Sequence, residues 1–480
     1  MALSLRWRPR GIFVAACLLF LLLLLVAHPR IRRNMWINGS DVDAGTLAPK
    51  DSKKEEPQGI DALPPDYTVL KKWEAALPQH NLTLPFPEGK KGRYVKFSNQ
   101  SGGIGWNNCF NEVLMNAHLA YISGRGYVFR DYYWSAEHYR WPREKWTTDQ
   151  PHTPLNAIVS GPVAGGPFDA GDPAPRAISE EWFDVVCPVK ERRLINTRDV
   201  KPALADASGI DTLNAWKKVL RDAPERCIEV VPAPEDPWAQ TFDLGLFGNP
   251  RVLTLWDSFS QSPISRFLEA SPIVRSAVEG NTYLFTPHGP RPPHPAPRNP
   301  FDRMLALHLR RGDYEGHCRG LEYINSLFYS WSLFPHLLDR FVPTPDAPDK
   351  YDRFLERCWP DINGVLRKAA DSRRDYLKQA EGLGPLSHSE ATLDVMYILT
   401  NEKSAWIDEL KRALQQDGWT VATTQDLVLN SEQTDVSMAV DMEIARRAAV
   451  FVGNGWSSFT SNIVYERLLD KRDPVTIRFM

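Results

Sequence analysis

The sequence predicts an α/β protein of two Rossmann-like domains facing a cleft, preceded by an N-terminal transmembrane helix and a stem. Three observations carry this. A strand, a glycine-rich turn, a helix and a second strand follow one another between Arg93 and Phe129. The same grammar returns from Met304 onward, after a proline-dense passage. The first 33 residues hold an apolar run between clusters of arginine. Short apolar strands alternating with helical patterns are the mark of a parallel sheet covered by helices.

At the N-terminus, Arg6, Arg8 and Arg10 precede the apolar stretch from Gly11 to Ala27, and Arg30, Arg32 and Arg33 follow it. A run of about 17 residues is short for a membrane span, so a cleaved signal peptide competes with an uncleaved anchor. The segment Val26-Ala27-His28-Pro29-Arg30 lacks a small-x-small cleavage pattern, which favours residues 1–33 as a cytoplasmic tail and signal anchor. Residues 34–92 are rich in Lys, Glu, Asp and Pro and read as a stem. Its second half has a competing reading, packed on the domain, because Tyr67 to Trp73 carries some amphipathic pattern.

Arginines on both flanks leave the orientation undecided by charge. Three sequons for N-glycosylation, at Asn38, Asn81 and Asn99, have meaning only in a lumen, so the expected location is the Golgi or endoplasmic reticulum membrane, single-pass type II. Of six cysteines, Cys17 falls in the anchor. An oxidising lumen would pair Cys187 with Cys227 and Cys318 with Cys358 by order, leaving Cys109 a buried thiol, although order alone does not prove connectivity. No Cys-x-x-Cys pair or His-x-x-x-His cluster occurs, so no structural zinc is expected. Asp41-Val42-Asp43, in the stem, reads as an ordinary acidic pair.

With 480 residues and 43% hydrophobic content, the chain can bury more than one core. A net charge of −2 supplies no basic field for nucleic acid, so any anion must be held by a local cluster. The first domain, 93–300, opens with the strand Arg93 to Phe97, the loop Ser101-Gly102-Gly103-Ile104-Gly105, a helix over Trp106 to Ser123 and the strand Tyr127 to Phe129. The second, 301–480, follows the proline-dense passage His288 to Pro300. Its strands are Met304 to Leu309, Val395 to Thr400, Thr420 to Thr423 and Val450 to Gly453, with helices over Ser404 to Gln415, Met438 to Ala449 and Ile463 to Leu469.

Ligands of open parallel sheets bind outside the carboxyl ends of the strands, and three loops fall there. In Gly102 to Asn108, glycines let backbone N–H groups approach a phosphate at a helix N-terminus; a simple tight turn is the competing explanation. In His308-Leu309-Arg310-Arg311-Gly312-Asp313, two arginines leave a buried strand, and a guanidinium needs an anion or water. Arg310 is the expected ligand-facing residue; Arg311 competes as a structural partner of Asp313. In Gly453 to Asn462, hydroxyls and amides open a helix. One N-cap explains one serine, not the whole Ser457-Ser458-Phe459-Thr460 run.

His-Leu-Arg at a strand end, Gly-Asn-x-x-Ser-Ser-Phe-Thr near the C-terminus, Asp441 sixteen residues before Ser457, Tyr397 to Glu402 and an Asn-containing glycine loop resemble the GDP-fucose protein O-fucosyltransferase superfamily. The likeness spans about Gly102 to Met480, with no motif between Pro142 and Pro300, as for a divergent, fungal-type member. It implies a GT-B fold, GDP-fucose as donor substrate, no cofactor and no metal for donor binding, and inverting transfer of L-fucose to a protein Ser/Thr or glycan hydroxyl. By the same resemblance Gly103, Gly105, Asn107 and Asn108 belong to the donor loop, His308 and Arg310 contact the donor, Arg310 holds the β-phosphate, Asp441 meets the nucleotide, and Ser457, Ser458 and Phe459 meet phosphates or guanine. The base stays open among Asp313, Glu112, Glu315 and no side chain at all, because the glycine loop has no acid. A non-catalytic luminal binding protein that keeps the fold is the alternative.

Overall fold

The computed structural model describes residues 63–236, 238–286, 299–312, 314–382 and 392–480. The run Gly11 to Ala27, the sequon at Asn38 and Asp313 lie outside them. Among the described residues no helix is long and apolar enough to cross a membrane.

The described chain opens with α1 (Thr68–Ala75), and here the stem expected over 34–92 needs correction. The Tyr67 hydroxyl donates to Asp435 Oδ2 (2.8 Å), Lys71 Nζ to Asp131 (2.6 Å), and Gln79 Nε2 to the carbonyls of Gly165 and Ala177 (2.9 and 2.7 Å). Leu77 is buried. Residues from 63 onward are therefore part of the folded body, through the amphipathic stretch that the sequence left open.

The first sheet contains β1 (Tyr94–Phe97), β2 (Gly126–Phe129), β3 (Ile178–Ser179), β4 (Arg193–Asn196) and β5 (Cys227–Val231), all parallel in the order β3-β2-β1-β5-β4. Between β1 and β2 runs α2 (Trp106–Ile122), buried on nearly every side, which is why its sequence is more apolar than an amphipathic surface helix. Helix α3 (Glu180–Val186) follows β3, and α4 (Gly209–Asp222) follows β4. A disulfide joins Cys187 to Cys227, the latter at the start of β5. Helix α5 (Pro272–Gly280) then leads toward the second domain.

The second sheet contains β6 (Met304–Leu309), β7 (Val395–Thr400), β8 (Thr420–Thr423), β9 (Val450–Gly453) and β10 (Ile477–Phe479), all parallel in the order β8-β7-β6-β9-β10. Helices α6 (Glu315–Tyr323), α7 (Lys350–Cys358) and α8 (Ile362–Gly382) lie between β6 and β7, and Cys318 of α6 is disulfide-bonded to Cys358 of α7. Both cysteine pairs are those expected from order, and Cys109 is a buried free thiol. Helices α9 (Ala405–Gln416), α10 (Ser437–Arg447) and α11 (Ser458–Leu469) complete the domain. The last begins five residues before the expected Ile463, so Ser458, Phe459 and Thr460 form its first turn.

Alternation along β6 sorts its side chains between two layers. Leu305, Leu307 and Leu309 pack with Val365 and Ala369 of α8 and Ile407 and Leu410 of α9. Met304 and Ala306 face the other way, into an apolar core that holds Val440 and Ile444 of α10 and runs on through α2 and β1 of the first domain. The two domains thus share one core. Polar contacts cross the same seam: Asn462 Nδ2 donates to the side-chain and backbone oxygens of Asn107 (both 3.0 Å), and Arg140 donates to Ser437 Oγ (2.9 Å).

Candidate active site at the carboxyl end of the second sheet

In the second sheet the connections from β6 run one way, to β7 and β8, while β9 and β10 lie on its other side. The crevice above the carboxyl ends of β6 and β9 is therefore the topological switch point, where open α/β sheets bind ligands. The two loops at this point touch. A hydrogen bond of 2.8 Å joins His308 Nδ1 and Thr460 Oγ1, and the His308 ring lies 4.7 Å from that of Phe459. His308 shares the parity of Met304 and Ala306, so the alternation of the strand aims it at the seam and at α11. Burial drives its pKa down to about 3, helped by the charge of Arg310. The imidazole is neutral at physiological pH and serves as a hydrogen-bonding group, not a cation.

The same alternation separates the two arginines. Arg310 continues the seam-facing set; it is half-buried, with its guanidinium 5.0 Å from the Tyr314 ring and donating to the Arg311 carbonyl (3.2 Å). Arg311 turns to the opposite layer and is buried. Its guanidinium is sandwiched 4.1 Å from Trp359 and 3.8 Å from Trp406, donates to the Pro360 carbonyl (2.7 Å), and lies 3.5 Å from Glu402. Arg311 is thus held by Glu402 and two indoles, while Asp313, the partner expected for it, lies outside the described residues.

Helix α11 presents its N-terminus to the crevice. Ser457 is the N-cap residue, but its side chain makes no capping bond, and the first N–H groups of a helix have no partner within it. The positive end of the helix dipole adds to them. Close packing fixes this turn. A Cβ on Gly453 would sit 2.5 Å from the Thr460 methyl carbon, and one on Gly455 would sit 2.5 Å from the Phe328 ring.

Asp441 stands on α10 over the ends of β7 and β8. Its carboxylate accepts from the Tyr397 hydroxyl (2.5 Å) and from Thr424 Oγ1 (2.9 Å), and burial pushes its pKa up to about 6. From the first domain, the glycine loop and the start of α2 come to the seam through Asn107. Asn107 is buried in its bond to Asn462 and ties the domains together, while Asn108 is half-buried beside it. A Cβ placed on Gly103 or Gly105 would meet nothing within 4 Å, so this face of the loop is open.

Three comparable solved structures cover most of the chain. POFUT1 in complex with GDP-fucose is 15% identical over 78% of this chain and 94% of its own, with a TM-score of 0.45. NodZ alpha-1,6-fucosyltransferase soaked with GDP-fucose is 12% identical over 78% and 92%, with a TM-score of 0.36. FUT1 of Arabidopsis thaliana, as a mutant in complex with GDP, is 12% identical over 83% and 73%, with a TM-score of 0.32. The likeness is one of fold alone. No family model matches the chain, and no curated protein matches it.

The remaining expectations divide. His308, Arg310, Ser457, Ser458 and Phe459 are brought together, and Asp441 lies along the same row of strand ends. Glu112 is buried beneath the glycine loop, where it accepts from the Ser101 amide (3.1 Å) and burial raises its pKa to about 8. Glu315 opens α6 and pairs with Arg319 (2.9 Å). Among the described residues no cluster of three or more His, Cys, Asp or Glu is placed to hold a metal. The sequon at Asn99 is overturned as a glycan site: the side chain is buried, its amide donating to the Ala239 carbonyl and Thr241 Oγ1 (both 3.0 Å). Asn81 is exposed, in a turn closed by bonds from Thr83. Thr460 and Asn462 lie in the third loop singled out from the sequence and Tyr397 opens the stretch Tyr397 to Glu402, but nothing in the sequence gives their partners; Thr424 and Arg140 carry no sequence signal at all.

Proposed function

We propose that the chain is a GDP-fucose-dependent glycosyltransferase that moves L-fucose, with inversion, to a hydroxyl of a protein Ser/Thr or a glycan. The observation that carries this reading is the junction of His308 and Arg310 with the uncapped N-terminus of α11 at the switch point of the second sheet. A nucleoside diphosphate needs such a place: one cation, a row of free amides and a neutral hydrogen-bonding group. The sequence likeness of these residues to the O-fucosyltransferase superfamily supplies the donor's identity.

In this reading the nucleoside lies toward Asp441 and the diphosphate between Arg310 and α11. As the glycosidic bond breaks, negative charge gathers on the departing phosphate while the sugar becomes oxocarbenium-like. Arg310 and the amides of Ser458 and Phe459 oppose that charge without reorganising. His308, uncharged, donates or accepts one hydrogen bond and is itself held by Thr460. Asn107 and Asn462 hold the open glycine loop over the donor, so the acceptor enters between the domains. The buried position of Glu112 leaves it a support of the loop. The N-terminal arginine-flanked apolar run, the exposed sequon at Asn81 and the two disulfides support a luminal location in the endoplasmic reticulum or Golgi, with the chain anchored as a type II protein.

The test is a donor screen on the soluble chain from residue 63 onward, reading thermal shift and hydrolysis with GDP-fucose, GDP-mannose and UDP-sugars. Selective stabilisation by GDP and GDP-fucose is expected. Stabilisation by another nucleotide sugar, with both guanine compounds inert, sinks the fucosyl reading.

A further inference from the structure

A cavity of about 550 Å³ lies at the other end of α11, walled by Ser260, Gln261 and Arg266 of the first domain and Arg446, Glu466 and Lys471 of the second. Its size falls within the range of small-molecule sites, and a seam between domains is a common place for one. Glu466 stands eight residues along α11 from Ser458, which at 1.5 Å per residue places it about 12 Å from the phosphate-binding turn. The cavity is a separate place on the molecule.

Its polar groups fall into two sets. The guanidiniums are already committed: Arg266 to Asp169 (2.8 Å), Arg446 to both oxygens of Asp470 (2.8 and 3.0 Å). The Ser260 hydroxyl, the Gln261 amide, the Glu466 carboxylate and the Lys471 ammonium line the cavity with no hydrogen bond or salt bridge to the protein among the described residues. This second set holds one carboxyl that is acceptor-only when ionised, one donor-only group and two that do both. With Arg266 and Arg446 each paired to an aspartate, the charges left lining the cavity are Glu466 and Lys471, one of each sign, so neither an anion nor a polycation finds a matching net charge. A neutral ligand whose groups both donate and accept satisfies all four.

We propose that this cavity binds a neutral, polyhydroxylated ligand, a saccharide unit, at a site distinct from the donor crevice. Glu466 and Gln261 accept from its hydroxyls, and Lys471, Ser260 and the Gln261 amide donate to them. Burial, which pushes the Glu466 carboxyl up to about 7, marks the carboxylate as short of the hydrogen bonds that such a ligand would bring. Because the walls come from both domains, occupancy would also brace the seam.

The experiment is saturation-transfer NMR and calorimetry on the folded soluble chain, with the donor crevice filled by excess GDP. The probes are fucose, galactose, mannose, N-acetylglucosamine and their disaccharides, with inorganic phosphate and spermidine as charged controls. At least one neutral saccharide is expected to bind, and Glu466→Ala and Lys471→Ala should each weaken it about tenfold or more, with the melting temperature and GDP affinity retained. Lys471 is on the exposed rim, so it stands as a second variant should Glu466→Ala not fold. Binding of phosphate or spermidine alone, no saccharide binding, or saccharide binding unmoved by these substitutions overturns the proposal. Failure of the donor screen would leave it standing, since Glu466→Ala and Lys471→Ala, and not GDP, assign saccharide binding to this cavity.

Discussion

Removing Arg311 should unfold the second domain early, while removing its neighbour Arg310 should leave the fold and take the chemistry. The guanidinium of Arg311 is pressed between Trp359 and Trp406 and bonds the Pro360 carbonyl at 2.7 Å. A desolvated cation–π contact contributes about 1–2 kcal/mol, and a hydrogen bond from a charged donor about 1.5–3 kcal/mol. Glu402 would lose a cation but keep the Lys403 and Ser404 amides (3.1 and 3.0 Å), so the penalty for an orphaned buried charge is only partly incurred. These terms overlap, and their combined loss is roughly 3–4 kcal/mol for Arg311→Ala. At roughly 2–4 °C per kcal/mol for a domain of this size, the melting temperature should fall by roughly 6–16 °C. Arg310→Ala, half-exposed, should shift it by no more than about 2 °C and lower turnover by about 10² to 10³. Calorimetry and a GDP-release assay on both variants measure this. Equal melting losses, or an Arg311→Ala protein that melts like the wild type and does not turn over, would refute the division of roles.

Gly453→Ala should cost about 1–3 kcal/mol by overpacking, because its Cβ would push Thr460; GDP binding, followed by calorimetry below the melting range, should weaken as Thr460 releases His308. In a host that glycosylates luminal proteins, peptide mapping should find glycan at Asn81 and none at Asn99, whose amide is spent inside the fold; an occupied Asn99 in folded protein contradicts the packing described here. Burial raises the Asp435 carboxyl to about 6 from an ordinary value near 4, so the folded state binds the extra proton between about pH 4 and pH 6. The stability this gives is whole below about pH 4 and lost as pH rises through 6. Asp435→Asn, still able to accept from Tyr67 and Thr153, should therefore gain a few degrees of melting temperature on the wild type between pH 4 and pH 7, and a gap that is flat or of opposite sign would count against the burial.

Local pattern made much of the second domain legible. Met304 to Leu309, Val395 to Thr400 and Val450 to Gly453 are nearly continuous apolar runs because both faces of a parallel sheet are covered; these and the shorter edge strand Thr420 to Thr423 are strands with those bounds. The start of α11 was missed for a physical reason: Ser458, Phe459 and Thr460 have weak helical preference and hydroxyls that look like loop. They are helical because Thr460 is anchored to His308 and backed against Gly453. The region 142–300 gave no motif, and its strands explain why. Strand β3 spans two residues, and β4 exposes Arg193 and Leu194 at a sheet edge, so neither carries a period that a reader could count.

What sequence could not reveal is pairing across distance. Asn107 and Asn462 are 355 positions apart, and Tyr67 and Asp435 are 368; nothing local in any of the four marks a partner. Yet the first of these contacts joins the glycine-loop end of α2 to α11, and so brings the two half-sites together. The exception is instructive. Arg310 and Arg311 are adjacent and chemically identical, and the strand's period of two sends them to opposite layers, one toward the seam and one between two tryptophans. The parity of β6 is readable from Met304 onward, so the arginine that faces the seam follows from counting, once the face of the sheet that meets the other domain is known. That last item of knowledge is tertiary, and it came only with α10 and α11 packed on the side of Met304 and Ala306.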